Sequence, residues 1–150
     1  MKHAIFAAGT VALLIATGAA DAYAGHSGNR NKAYTFQKGA WNEAATVQRG
    51  RGNSLTAEQH GRHNQLVIDQ LGRWNFAVTG QSGDRNQATT VQTGKDNTAG
   101  TAQIGRGLRA FTEQSGKGNA SGTIQVGDGQ NADVRQVGRG NVSLTIQGNR

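Results

Sequence analysis

A chain of 150 residues with a net charge of +7, no cysteine and 5% aromatics excludes a disulfide scaffold and leaves little material for a conventional apolar core. Its mean hydropathy of −0.60 would, on composition alone, pass for a disordered chain. The basic balance points to an anionic neighbour, either a polyanion or a charged surface.

In chain order, the first segment reads as a targeting signal. Lys2 and His3 precede the apolar run AIFAAGTVALLIATGAA, and Ala22-Tyr23-Ala24 supplies an A-x-A site. Residues 1–24 are therefore expected to be a secretory signal peptide, with the mature chain starting at Gly25. The run falls short of the roughly 20 apolar residues that a spanning helix needs, so no transmembrane segment is expected in the mature chain. Lys2 and Asp21 cancel, which leaves the mature chain its full +7.

Residues 25–31 form a short N-terminal segment, in which His26, Gly28 and Asn31 make a degenerate first copy of a repeat. Glutamine then recurs every 11 residues, at Gln37, Gln48, Gln59, Gln70, Gln81, Gln92, Gln103, Gln114, Gln125, Gln136 and Gln147. These 11 are drawn from only 14 glutamines in the chain, too regular for coincidence. Glycine stands two places later at Gly39, Gly50, Gly61, Gly72, Gly83, Gly94, Gly105, Gly116, Gly127 and Gly138. Asparagine completes a Q-x-G-x-x-N frame at Asn42, Asn53, Asn64, Asn75, Asn86, Asn97, Asn119 and Asn141, with Leu108 and Gln130 in the two remaining places. A fixed period of this kind marks a repeat architecture.

Each unit splits into two parts. Residues 88–92, ATTVQ, alternate and are rich in threonine and valine, as strands are, and TGKDN carries turn residues. One unit is thus a strand of about five residues and a tight turn. A helix fails because glycine recurs within the turn cluster. Two units bring the chain back to its starting edge, giving rungs at 32–53, 54–75, 76–97, 98–119 and 120–141, with 142–150 as a truncated sixth repeat. The expected fold is all-β: a narrow two-sheet β-solenoid, or β-helix, of five 22-residue strand-turn-strand-turn rungs, stacked about 4.8 Å apart and cross-β on assembly. The absence of proline suits a chain in which nearly every backbone N–H enters a ladder.

Strand alternation assigns the faces. Four places before each glutamine stand mostly alanines, and two places before it threonine in eight of eleven units, the others being Ala57, Ile68 and Val134. Two close sheets accommodate such small columns, and the glutamines and asparagines should stack on their own copies as amide ladders. Alanine and threonine bury little apolar area, so stability is expected to rest on hydrogen bonds worth about 1 kcal/mol each.

Three places after each glutamine the turns carry charge, sorted by edge. Arg51, Arg73, Lys95, Lys117 and Arg139 share one edge, while Ala40, Arg62, Asp84, Arg106 and Asp128 share the other. Like charges one rung apart repel by roughly 0.9 kcal/mol in water. The basic edge is therefore a candidate binding site for a polyanion such as extracellular DNA or anionic polysaccharide. The plain alternative is a solvated edge that resists lateral sticking.

Catalytic chemistry is not evident. His60 and His63, in HGRH, lack the further ligands of a structural zinc. RGRGN is a repeat turn with no helix behind it to bind phosphate. The acids are scattered, with no pair to act as general acid and base. No metal, cofactor or enzymatic activity is expected.

The frame Gln81, Gly83, Asn86, Ala88, Gln92 closely resembles the curlin repeat, over residues 32–147. The resemblance implies a subunit of curli, the amyloid fibres of Gram-negative-type bacteria. It implies export through outer-membrane curli secretion machinery and assembly into a pilus-like cell-surface fibre that serves adhesion and biofilm matrix. The partners it implies are further copies of the chain and another curlin subunit. Three features depart from the family: the threonine column where curlins usually carry larger aliphatics, the short segment 25–31, and a last rung ending at Gln147-Gly148-Asn149-Arg150. The basic charge resembles the minor nucleating subunit and the regular rungs resemble the bulk subunit, so both roles stay open. The weak core suggests a secreted monomer that orders on templating.

The alternative is a non-amyloid secreted β-solenoid binding ice or polyanions. Ice binding would need threonine columns on an outer face. A polysaccharide enzyme would need longer loops and clustered carboxylates, and a calcium-binding repeat would need acidic turns.

Overall fold

The computed structural model describes the backbone of residues 11–16 and 20–25, and residues 30–149 in full. Two short strands come first, β1 (Val11–Ala16) and β2 (Ala20–Gly25). The 11-residue units then alternate between two facing sheets. The first sheet holds β3 (Lys32–Ala40), β5 (Ser54–Arg62), β7 (Phe76–Asp84), β9 (Thr98–Arg106), β11 (Ala120–Asp128) and β13 (Val142–Gly148). The second holds β4 (Asn42–Arg51), β6 (Gln65–Arg73), β8 (Gln87–Lys95), β10 (Arg109–Lys117) and β12 (Asn131–Arg139). From β3 onward every pairing is parallel and offset by 22 residues, so Gln81 lies beside Gln103 and Gly83 beside Gly105. The chain is a β-solenoid of two parallel sheets with about five turns.

Strands run to nine residues where about five are expected, because the ladder continues through the glycine into the turn. Stacking explains this. In a parallel in-register pile each turn lies against an identical turn, so its backbone groups find partners one rung away. Phe76 N–H donates to Asn97 O at 2.8 Å, and Arg85 N–H to Arg62 O at 2.9 Å. The turn is thereby part of the sheet.

Alternation buries the columns of small side chains. Ala44, Ala77, Ala88, Ala99 and the threonines at 35, 46, 79, 90, 101, 112 and 123 all point inward. The largest buried apolar side chains of the strands, Leu55, Leu66 and Ile68, sit in the second rung with Ala57, and Leu108 is buried at a turn. The hydroxyls of Thr79, Thr112 and Thr123 are buried without a hydrogen-bond partner, which weakens an already thin core. Buried threonines also cannot present a lattice to ice.

β1 and β2 pair antiparallel with β4 and β3, at the outer edge of the first rung. These strands fall largely on the expected signal peptide, the rest of which lies outside the described residues, as do His26 and Gly28. Among the described residues no helix is long and apolar enough to cross a membrane.

The glycine two places after the glutamine sets how closely rungs approach. Gly83 has φ +115°, and a Cβ built there would lie 2.0 Å from the carbonyl oxygen of Gly105. Both objections apply to any L side chain. Gly83→Ala is expected to cost about 3 kcal/mol or more by forcing adjacent turns apart, read as a fall in the urea midpoint of the folded protein. A midpoint unchanged from wild type would refute this account of the turn.

Candidate functional site

The candidate site is the repeated polar interior together with the two edges it holds in place. Each glutamine ends the inward-facing half of its strand and is almost completely buried from Gln37 to Gln136. Gln81 Nε2 donates to Gln103 Oε1 at 2.9 Å and to the backbone oxygen of Gln65 at 3.0 Å. The first bond runs along the stack. The second crosses to the start of β6 in the opposite sheet. The same pair of bonds recurs at Gln92, to Gln114 and Phe76, and at Gln103, to Gln125 and Gln87. One side chain therefore ties rung to rung and sheet to sheet.

Asparagine serves the turn in a parallel way. Asn86 Nδ2 donates to Ser82 O at 3.2 Å within its own turn and to Gly105 O at 3.0 Å in the next rung. Its Oδ1 accepts the backbone N–H of Leu108 at 3.1 Å. Asn42, Asn53, Asn64, Asn75, Asn97, Asn119 and Asn141 lie in the same columns and make matching bonds to their own turns. At the two exceptions the pattern is kept in part. Leu108 is buried and its N–H still donates to the rung before, while Gln130 Nε2 reaches Val126 O at 3.0 Å.

Three features escape the period alone. The inter-sheet bond of glutamine needs the geometry of two facing strands. Asn31 joins its column, accepting from Asn53 N–H at 3.0 Å, although its own frame is degenerate. The residue four places after each glutamine has positive φ throughout, as in Trp41 (61°), His63 (56°), Trp74 (59°), Arg85 (58°) and Asp96 (58°). A left-handed conformation costs an L residue roughly 1–2 kcal/mol, so the flanking ladders must hold these turns. The recurrence of Gly52, Gly107, Gly118, Gly129 and Gly140 at that place was the available signal.

The register brings Arg51, Arg73, Lys95, Lys117 and Arg139 into one column on one edge. Lys95 Nζ lies 3.7 Å from Asp96. The indole of Trp74 lies against Gly52 on this edge, where an added Cβ would meet it at 2.5 Å. On the other edge Ala40, Arg62, Asp84, Arg106 and Asp128 stack in turn. Arg62 Nη2 donates to Asp84 Oδ2 at 3.0 Å. The hydrogen bond from Arg62, with its charge, holds the Asp84 carboxyl below its ordinary value and raises the guanidinium. This small contribution is present above the unfolded carboxyl value and fades as pH falls through the lower folded one.

The histidines of HGRH diverge. His60 faces Phe36, with ring centroids 5.4 Å apart, and His63 stacks on Trp41 at 6.3 Å. No group of three or more metal-ligating side chains occurs among the described residues.

Replacing one ladder member tests the arrangement. Gln92→Leu would leave a donor on Gln70, the acceptor Gln114 Oε1 and the Phe76 carbonyl without the partner each now has. At about 1 kcal/mol or more for each buried group, the expected loss is roughly 3 kcal/mol in chemical unfolding. A neutral result would mean that the buried amides are incidental.

Residues 28–61 match the family model of the curlin associated repeat. No curated protein and no solved structure matches the chain. The matched stretch spans the frames at Gln37 and Gln48 and the start of the frame at Gln59, and the same frame continues in register to Gln147. Over those residues the chain is similar to the curlin associated repeat.

Proposed function

We propose that the chain is a structural subunit of an extracellular curli-type amyloid fibre, growing by addition of strands to the open edges of the stack and serving surface adhesion and biofilm matrix. The observation that carries the reading is at the first rung. Every ladder glutamine from Gln59 to Gln136 both accepts from the rung before and donates to the rung after or to the opposite sheet, whereas Gln37 Oε1 is buried with no partner. A glutamine of a second copy, stacked in the same register, would donate to it. Cleavage after Ala24 removes β1 and all of β2 but Gly25 from the outer edge of the first rung. Parallel, in-register sheets with that edge open template further strands, and the Ala and Thr core favours ordering on a template over folding alone.

Export as a cleaved precursor, passage through dedicated outer-membrane machinery and assembly with a second curlin subunit belong to the same reading. Purified chain from Gly25 onward should show thioflavin fluorescence after a lag, with the lag shortened by fragments of its own fibres. Self-seeded growth would mark the bulk subunit. Growth only on another subunit's fibres would mark the nucleator or a dependent partner, and a chain that stays dark in both settings would overturn the fibre reading.

The basic edge adds a polyanion-binding role, to extracellular DNA or anionic polysaccharide. Arg73→Gln with Lys95→Gln should weaken DNA binding several-fold at low salt and flatten its salt dependence, leaving fibre growth intact. Binding that is indifferent to both changes would leave this edge a solvated one.

A further inference from the structure

The two outer faces of the solenoid differ in chemistry. The outward positions of the second sheet include charged pairs: Arg49 lies 3.9 Å from Asp69, and Arg135 bonds Asp133 at 3.2 Å while covering the Phe111 ring at 5.3 Å. On the first sheet, the outward positions short of the turns carry no charged residue from Phe76 in β7 to Gly148 in β13. Aliphatic side chains crowd the later rungs of this face, with Leu144 and Ile146 each 67% exposed and Ile104 55% exposed. A soluble protein with net charge +7 rarely leaves a flat, charge-free sheet face of this kind uncovered.

The relief of that face has a direction. One outward column reads Gly80, Ala102, Ile124, Ile146 from rung to rung. It climbs from a hollow to a ridge. A Cβ added at Gly80 would meet nothing within 4 Å. Around it lies a shallow hollow of about 210 Å³ bordered by His60, Gly80, Ala102 and Ile104, with Glu58 on the rim one rung before.

We propose that this face pairs with the same face of a second copy, across a two-fold axis parallel to the strands. That axis keeps each column opposite itself and reverses the order of rungs. Ile146 of one copy then stands over Gly80 of the other, and Ile124 over Ala102. Ridge fills hollow twice in one isologous contact, and Glu58 stays at the open margin of the contact. A copy of this chain is the occupant that the relief selects, because the step in size within the column is complementary to its own reversal.

Area sets the level at which pairing operates. Four strands about 4.8 Å apart and seven residues wide at about 3.3 Å each offer roughly 450 Å² per copy. The total of about 900 Å² falls below the ~1,200 Å² of a stable specific pair. Single chains therefore stay apart at low concentration. A fibre presents the face once per subunit and sums the contacts, so the consequence is antiparallel pairing of fibres. The pairing of fibres rests on the fibre reading above; the pairing of faces does not.

The test compares wild type with I124K/I146K on this face and V67K/V137K on the opposite one, following seeded thioflavin growth and fibre width by electron microscopy. Wild type and V67K/V137K should form paired fibres. I124K/I146K should elongate at the wild-type rate as single fibres. Single wild-type fibres, paired I124K/I146K fibres, or equal loss of pairing in V67K/V137K would each overturn the proposal. Single wild-type fibres that coat phosphatidylcholine vesicles would assign the face to a lipid surface, and so also overturn it. Should wild type form no fibre at all, the fibre reading fails by itself. Sedimentation of the soluble chain at millimolar concentration then decides the face: a dimer lost in I124K/I146K supports the pairing, and monomers throughout refute it.

Discussion

A buried primary amide is the constraint on which the rest of this structure depends. Glutamine brings two N–H donors and a carbonyl into a water-free interior, and each must find a partner or cost free energy. The stack satisfies them by repetition: one donor goes to the identical glutamine 22 residues on, as from Gln70 to Gln92, and the other to the opposite sheet, as from Gln70 to the Ser54 carbonyl. A slip of one residue would turn the column outward and leave the amides unmatched. The period is therefore strict, and the frames follow one another without insertion from Gln37 to Gln147. Glycine and asparagine answer to that rigidity, since every turn must return the chain to the same place at the same height.

This arrangement divides the chain into an invariant interior and a variable exterior. Inside, the glutamine column runs unbroken, and the alanine and threonine columns change little along the stack. Outside, four surfaces carry different chemistry: a basic edge, an edge of alternating Arg and Asp, a charged sheet face, and an apolar one. In the proposed fibre, the interior would supply the shape that further copies extend, and the exterior would decide what the extended object meets. On the proposed reading, function would lie in an edge that accepts more of the same strand, and in surfaces multiplied by the number of copies.

Much of this was legible in the residues. The recurrence from Gln37 to Gln147 set the rung length, and alternation placed the alanines and threonines inside. Sorting the turn charges by alternate units placed Arg51 to Arg139 on a single edge. What stayed hidden depends on contacts between distant strands. The strands were expected to stop at the glutamine because the residues after it, as in TGKDN, are turn residues, yet Gly83 pairs with Gly105 since each turn has a twin beside it. The bond from Gln81 to Gln65 O joins residues 16 apart. That separation recurs at each ladder glutamine from Gln48 to Gln147, but it is no multiple of the repeat and needs the facing sheet to be seen. Trp41 and Trp74 at positive φ run against local propensity and are held by the rungs on either side. The apolar outer face emerged only once the outward positions of every second unit were laid side by side.

The most direct measurement of the central claim is hydrogen exchange of the glutamine side-chain amides in the assembled protein, followed by NMR beside the backbone amides of the same strands. If the amide ladder holds the stack, the Nε2 protons of Gln59 to Gln125 exchange as slowly as the backbone N–H groups around them. Side-chain protons that exchange at the rate of free amides, within strands whose backbone stays protected, would contradict it and leave the backbone ladder as the element that holds the rungs together.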